Sequence, residues 1–240
     1  MAADQRGGPA ALAGALLGLD EITRQLRREC PWDREQDERS IVPHTVEESY
    51  ELADAAHSGD DARLLDELGD VLFQVYFLAL LLEERGAGDL GGVAEHCRQK
   101  LIRRHPHVFG EVEVSGARDV LRNWDRIKLG EEGRGDGVFA EVPENLPAPL
   151  YARKLQRRAS TAGHEPFAAG EPLERVRSEV DRLAAGPGVD RERRFEAVGD
   201  LLWAAVGAAR ELEVDPELAL RAAADRFRRQ IESGGTGGGP

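Results

Sequence analysis

The stretch Thr45–Gln74, TVEESYELADAAHSGDDARLLDELGDVLFQ, decides the fold. Its residues are strong helix formers interrupted once, at HSGDD, and that break is short enough to fold a second helix back antiparallel on the first. Glu48 and Glu51 are three residues apart and share a face of the first segment, and Glu67 and Asp70 do the same in the second. The second pair lies on the turn entering residues 71–82, VLFQVYFLALLL, which are apolar almost all round and predict a buried helix. A surface helix scatters its carboxylates and pairs them with Lys or Arg four residues on. Two acidic pairs facing each other across a helix–helix seam repel instead, and raise each other's pKa unless a cation sits between them.

An all-oxygen ligand set selects a hard dication, Mg²⁺, Mn²⁺ or Ca²⁺, over zinc or iron. Mg²⁺ takes a few carboxylates and leaves its other positions to water and phosphate oxygens. Glu48, Glu51, Glu67 and Asp70 are therefore candidate metal ligands. A structural reading stands beside this one. Thr45 with Glu48 three residues on also fits a capping box, Glu47 then answers the helix dipole, Glu51 is solvated, and Glu67 pairs with Arg63 one turn back. Other carboxylate chemistries fit less well. Di-iron bundles need Glu-x-x-His pairs, absent from the cluster, and a sugar cleft needs aromatics, which form only 5% of the chain.

With 240 residues there is room for one large or two small domains. A net charge of −13 argues against a general polyanion binder such as a nucleic-acid protein, but not against a small anion reached through a metal or a local basic cluster. Two cysteines, Cys30 and Cys97, make no disulfide framework and fit a reducing cytosol. The N-terminus does not resemble a secretory signal, and the apolar run is too short to span a bilayer. The expectation is a cytoplasmic protein with no membrane segment.

Ala, Leu, Glu and Arg dominate and β-branched alternation is scarce, which predicts an all-α fold. Helices are expected near 11–29, 45–57, 61–85, 91–104 and 117–130, and again near 148–160, 171–185, 190–213 and 216–232. The last has Asp215 as N-cap and Pro216 in its first turn. The expected organisation is an N-terminal segment at 1–18, partly flexible, a unit at 19–130, a Gly/Pro-rich linker at 131–147, a second unit at 148–232 and a disordered tail at 233–240. The halves look duplicated: LGDVLFQVYFLALLLE from Leu68 aligns without a gap on VGDLLWAAVGAARELE from Val198. The copies are unequal. Glu48, Glu51, Glu67 and Asp70 fall on Glu179, Arg182, Ala197 and Asp200, so two carboxylates are lost and one is replaced by a cation.

EESYE followed by ELGD resembles the E-E-x-x-E … E-x-x-D signature of the MazG-type nucleoside triphosphate pyrophosphohydrolases, in the all-α NTP pyrophosphatase superfamily. CPWDREQ (Cys30–Gln36), RRHPHVFGE (Arg103–Glu111) and VLRNWDRIK (Val120–Lys128) also look like segments of the full-length bacterial members. The resemblance implies tandem helical bundle units with a four-helix-type core completed by a homodimer. It implies hydrolysis of (d)NTPs to monophosphate and pyrophosphate, with Mg²⁺, or Mn²⁺ in its place, on Glu48, Glu51, Glu67 and Asp70. Glu47 is the candidate to orient or deprotonate the attacking water. Lys100, Arg103 and Arg104 form a basic cluster suited to phosphate, the alternative being charge complementing a helix C-terminus. The family pattern puts Asn123, Trp124 and Lys128 at the nucleotide, an indole offering a stacking face, and Trp32 lines the site or belongs to the core. A related substrate such as phosphoribosyl-ATP or dUTP shares this metal chemistry, and a non-catalytic helical interaction protein is the alternative of another class.

Overall fold

In the computed structural model, residues 8–129, 137–140, 142–167, 172–184 and 190–234 are described, and they form eleven α-helices with no strand among them. The all-α expectation holds. Residues 1–7 of the expected N-terminal segment, 131–136 and 141 of the expected linker, and 235–240 of the expected tail lie outside the described residues. No helix among the described residues is long and apolar enough to cross a membrane. The chain divides into two units, Met1–Arg103 and Arg104–Pro240.

The first unit holds α1 (Pro9–Glu29), α2 (Pro31–Glu35), α3 (Glu38–Ser58), α4 (Asp61–Glu84) and nearly all of α5 (Leu90–Arg104). The turn between α3 and α4 is built by local chemistry. Gly59 closes α3 at φ 71°, in the left-handed region, and the Asp60 carboxylate accepts from the backbone N–H of Ala62 (3.0 Å) and Arg63 (3.2 Å) to open α4. A Cβ at position 59 meets nothing within 4 Å, so only the backbone conformation opposes one. Gly59→Ala is expected to cost about 1 kcal/mol, read from the denaturant midpoint.

The reversed helices α3 and α4 pack along each other. Ile41, Phe77 and Leu81 are their buried cluster, with Phe73 and Leu78 packed against it. Ala55 is fully buried, and so small a side chain lets the helices approach closely. Helix α1 is fastened to the far end of α4 by two bidentate pairs, Arg24 on Glu83 and Arg27 on Glu84. Arg27 also donates to the carbonyls of Asp33 (2.6 Å) and Gln36 (3.0 Å), which tethers the CPWD turn to this helix pair.

Two short helices lie outside the expected spans, and one expected start is corrected. CPWD belongs partly to a short helix, α2. His105-Pro106 leads straight into a helix of four residues, α6 (Pro106–Phe109), because proline suits a first helical position. Helix α3 starts at Glu38, seven residues before the expected 45. Asp37 is its cap, accepting from the N–H of Arg39 and Ser40 while the Ser40 hydroxyl faces the Asp37 N–H. The helix runs on through Pro43. One turn past a strong cap, a proline removes a single backbone bond, and the helix survives that loss.

The second unit holds α6, α7 (Ala117–Leu129), α8 (Ala148–Thr161), α9 (Pro172–Ala184), α10 (Arg191–Glu211) and α11 (Pro216–Gly234). Helices α9 and α10 are its closely packed pair, and α8 lies against α10 and α11. The fully buried Gln156 amide donates to the carbonyl of Trp203 (2.9 Å), and the Phe167 ring fills the space beside Gly207. Asp215 caps α11 as expected, accepting from the Leu218 N–H (3.0 Å), and its carboxylate pairs with Arg153.

Candidate active site

Glu48 sits in the middle of α3, and Glu67 and Asp70 lie in the second and third turns of α4. The α3–α4 pairing brings them together. One carboxylate oxygen from each lies within 4.8 Å of the others, the geometry of a group able to hold a metal ion. Glu67 is buried, Glu48 half-buried and Asp70 exposed, so the cluster runs from the core edge out to water. Beside it an open depression of about 530 Å³ is lined by Arg63, Asp66, Gly69 and Asp70 on α4.

The corrected start of α3 removes one structural explanation of these acids. With Asp37 as cap, Thr45 is interior to the helix and donates to the Ile41 carbonyl (3.3 Å), with the buried Gln74 amide oxygen at 3.4 Å. Glu48 is thus no capping-box partner and Glu47 lies beyond reach of the helix N-terminal dipole. The pairing of Glu67 with Arg63 does occur, at 3.5 Å. One half-exposed guanidinium does not balance three carboxylates. The Glu48 carboxyl accordingly has its pKa raised, by burial first and then by repulsion from Asp70, Glu51, Glu67 and Glu47.

That shift has a checkable sign. Glu48 is easier to protonate in the folded chain, so its favourable contribution is complete below the unfolded-state pKa and is lost as pH rises through the raised value. In EDTA at pH 7, Glu48→Gln is therefore expected to melt above the parent protein. The gap should close below about pH 4, where the unfolded carboxyl also protonates. Melting curves of both proteins across pH test this.

Glu51 lies one turn along α3, exposed and outside the three-oxygen group, and acts on Glu48 through its charge. Glu47 is exposed and faces His44, whose Nδ1 is 3.3 Å from its carboxylate. Trp32, on α2, is half-exposed and packs edge-on against the His44 ring, with centroids 5.7 Å apart. Lys100 and Arg103 lie on the last turns of α5, half-buried and exposed respectively. In the second unit the buried Arg104 guanidinium stands over the Trp124 ring at 5.5 Å, and His105 meets that ring edge-on at 4.8 Å. Asn123 accepts from Arg126 (3.1 Å), and Lys128 is half-buried.

Sequence reasoning missed the parts played by His44 and Gln74. Gln74 was readable as the one polar side chain inside an apolar run, a position that demands a partner. The pairing of His44 with Glu47 was readable as an i,i+3 spacing, whereas its packing on Trp32, from another helix, left no signal.

Comparison with known proteins adds an independent line. Residues 36–109 match the family model of the MazG nucleotide pyrophosphohydrolase domain, a span that includes every carboxylate of the cluster. A nucleoside triphosphate pyrophosphohydrolase of Escherichia coli K12 is 36% identical over 221 residues, covering 90% of this chain and 84% of that protein. A nucleoside triphosphate pyrophosphohydrolase/pyrophosphatase MazG of Thermotoga maritima is 38% identical over 199 residues, covering 82% and 76%.

Proposed function

The chain belongs to the MazG nucleotide pyrophosphohydrolase family, and from that premise we propose that it hydrolyses nucleoside and deoxynucleoside triphosphates between the α and β phosphates, releasing monophosphate and pyrophosphate. The observation that carries this reading is the convergence of Glu48, Glu67 and Asp70 from two helices, with their repulsion only partly relieved by Arg63. A hard carboxylate set fits Mg²⁺, or Mn²⁺ in its place, with Glu51 close enough in charge to join the set when the ion is bound. When bound, the ion neutralises charge on the phosphoryl oxygens and on the departing pyrophosphate.

The protein's own groups do the rest. Glu47, exposed and next to the ligands, orients the attacking water and takes its proton, its carboxylate steadied by His44. Lys100, Arg103 and Arg104 supply positive charge for the phosphates in an otherwise acidic chain. Trp124, with Asn123 and Lys128, and Trp32 provide the base-stacking and ribose contacts. The same reading assigns catalysis to 19–130 and makes 148–232, beyond a linker at 131–147, a degenerate copy. Its α9 and α10 also pack on each other, without the full ligand set.

A homodimer completes the bundle. Leu65, Leu68, Leu72 and Val75 form an exposed apolar stripe down α4, the face a second copy would cover. Phe195, Val198 and Leu202 expose the aligned positions of α10. The two unpaired cysteines suit a cytoplasmic setting.

The test is product analysis with each of the eight (d)NTPs, with and without Mg²⁺. Monophosphate plus pyrophosphate, made only with metal, is the expected result. Orthophosphate plus diphosphate would put the scissile bond elsewhere.

A further inference from the structure

In the α9–α10 pair the losses from the ligand set do not leave bare acid. Arg182 Nη2 lies 2.8 Å from Glu179 Oε2 on its own helix and 2.6 Å from Asp200 Oδ2 on the next. One guanidinium nitrogen thus stands between the two carboxylates that remain, donating to Asp200 and in ion-pair range of Glu179 Oε2, which accepts no hydrogen bond among the described residues. Arg175 meets the other Glu179 oxygen at 2.7 Å. Glu179 is 2% exposed, and a carboxylate so buried is tolerated only with its charge compensated. Asp200 and Arg182 are each about half exposed, so water screens the bridge between them and Glu179 carries most of the weight. Arg182 is held charged by the Asp200 bond and the neighbouring acids, its pKa raised further still.

The two hairpins therefore solve one electrostatic problem differently. Around Glu48 three carboxylates face the single, longer Arg63 contact at 3.5 Å. Around Glu179 two carboxylates each meet a guanidinium group within 2.8 Å, and Glu196 acts on Arg182 through its charge alone. We propose that Arg182 is the resident cation of the second cluster, standing where the first cluster takes a divalent ion, so that the α9–α10 pair is a metal-free copy that holds its fold without Mg²⁺. The comparison rests on the reading that Glu48, Glu67 and Asp70 bind a dication. A guanidinium suits the role because its planar donors are fixed and its charge survives at any working pH.

Amide hydrogen exchange read by mass spectrometry on the full chain tests this, in EDTA and in millimolar Mn²⁺, comparing peptides from α3–α4 with peptides from α9–α10. In the parent protein Mn²⁺ should slow α3–α4 and leave α9–α10 unchanged. Arg182→Gln should speed exchange in α9–α10 by at least about tenfold, since it leaves a buried carboxylate short of a partner. Arg182→Glu should do the same in EDTA and recover protection with Mn²⁺, because a third carboxylate then joins Glu179 and Asp200. Arg182→Lys keeps a cation and should stay protected and indifferent to Mn²⁺, which gives a reading even if the other two fail to fold. Slowing of α9–α10 by Mn²⁺ in the parent protein or in Arg182→Lys overturns the proposal. So does unchanged exchange in Arg182→Gln, or an Arg182→Glu protein that folds and ignores Mn²⁺. A missing Mn²⁺ response in α3–α4 would overturn the metal reading of the first cluster instead, and the α9–α10 peptides would still decide the role of Arg182.

Discussion

Glu67→Gln is expected to reduce kcat/KM for nucleoside triphosphate hydrolysis by more than the ~10–100-fold that outer-shell partners of a metal typically cost. Glu67 is the buried member of the three-oxygen group and enters from the helix that also carries Asp70. An amide of the same shape keeps one oxygen, yet it removes the charge that draws in a dication and adds N–H donors that repel it. Because Gln is isosteric and the lost charge is a repelled one, the fold should persist, which separates this variant from a merely destabilised one. The measurement is a steady-state rate titrated against Mg²⁺. A weaker metal midpoint together with a lower plateau is the expected result. A parent-like curve would mean that the cluster is not the metal site.

Glu51→Gln makes the informative contrast. Glu51 stands outside the three-oxygen group, so if it joins the ligands only with metal present, its loss should move the Mg²⁺ midpoint in the same direction as Glu67→Gln. Asp200→Asn should leave the rate near that of the parent protein, because Arg182 already neutralises that carboxylate.

Much of this site was legible in the sequence, for a definite reason. Helical periodicity ties spacing to direction, so Glu48 and Glu67–Asp70 could be set on facing stripes once HSGDD was read as a turn. Inequality between the halves was equally visible, since Arg182 and Ala197 fall in register with Glu51 and Glu67. Illegible were the features that depend on partners distant in the chain or on competition between signals. Thr45 and Asp37 are both good caps. The choice went to Asp37 because Ser40 closes a reciprocal pair there and because the helix tolerates Pro43, a residue that reads as a breaker. The hold of Arg27 on the Asp33 and Gln36 carbonyls had no local signature at all. Nor had the stand of Arg104 over Trp124, which lies on a different helix.

Phe77→Ala is expected to be the most damaging single change to the first unit, at about 3–5 kcal/mol. Phe77 is fully buried, packs with Ile41 and Leu81, meets the Phe73 ring with centroids 5.9 Å apart, and has the Arg27 guanidinium 5.8 Å above its ring. Removing the ring leaves a cavity at the point where α3, α4 and the Arg27 tether meet. Against a total stability of about 5–15 kcal/mol the loss is large enough to populate open forms under mild conditions. Chemical denaturation should show a lowered midpoint, and hydrogen exchange should rise in α3 and α4. Phe77→Leu keeps most of the volume and should lose less than about 1.5 kcal/mol. Activity supplies the functional half of the argument. The carboxylates of α3 and α4 meet only while those helices hold their register, so Phe77→Ala should weaken Mg²⁺ activation although the substituted residue carries no ligand. If stability falls while the Mg²⁺ midpoint stays fixed, the register is held by something other than this core, and the buried Ala55 contact becomes the place to look.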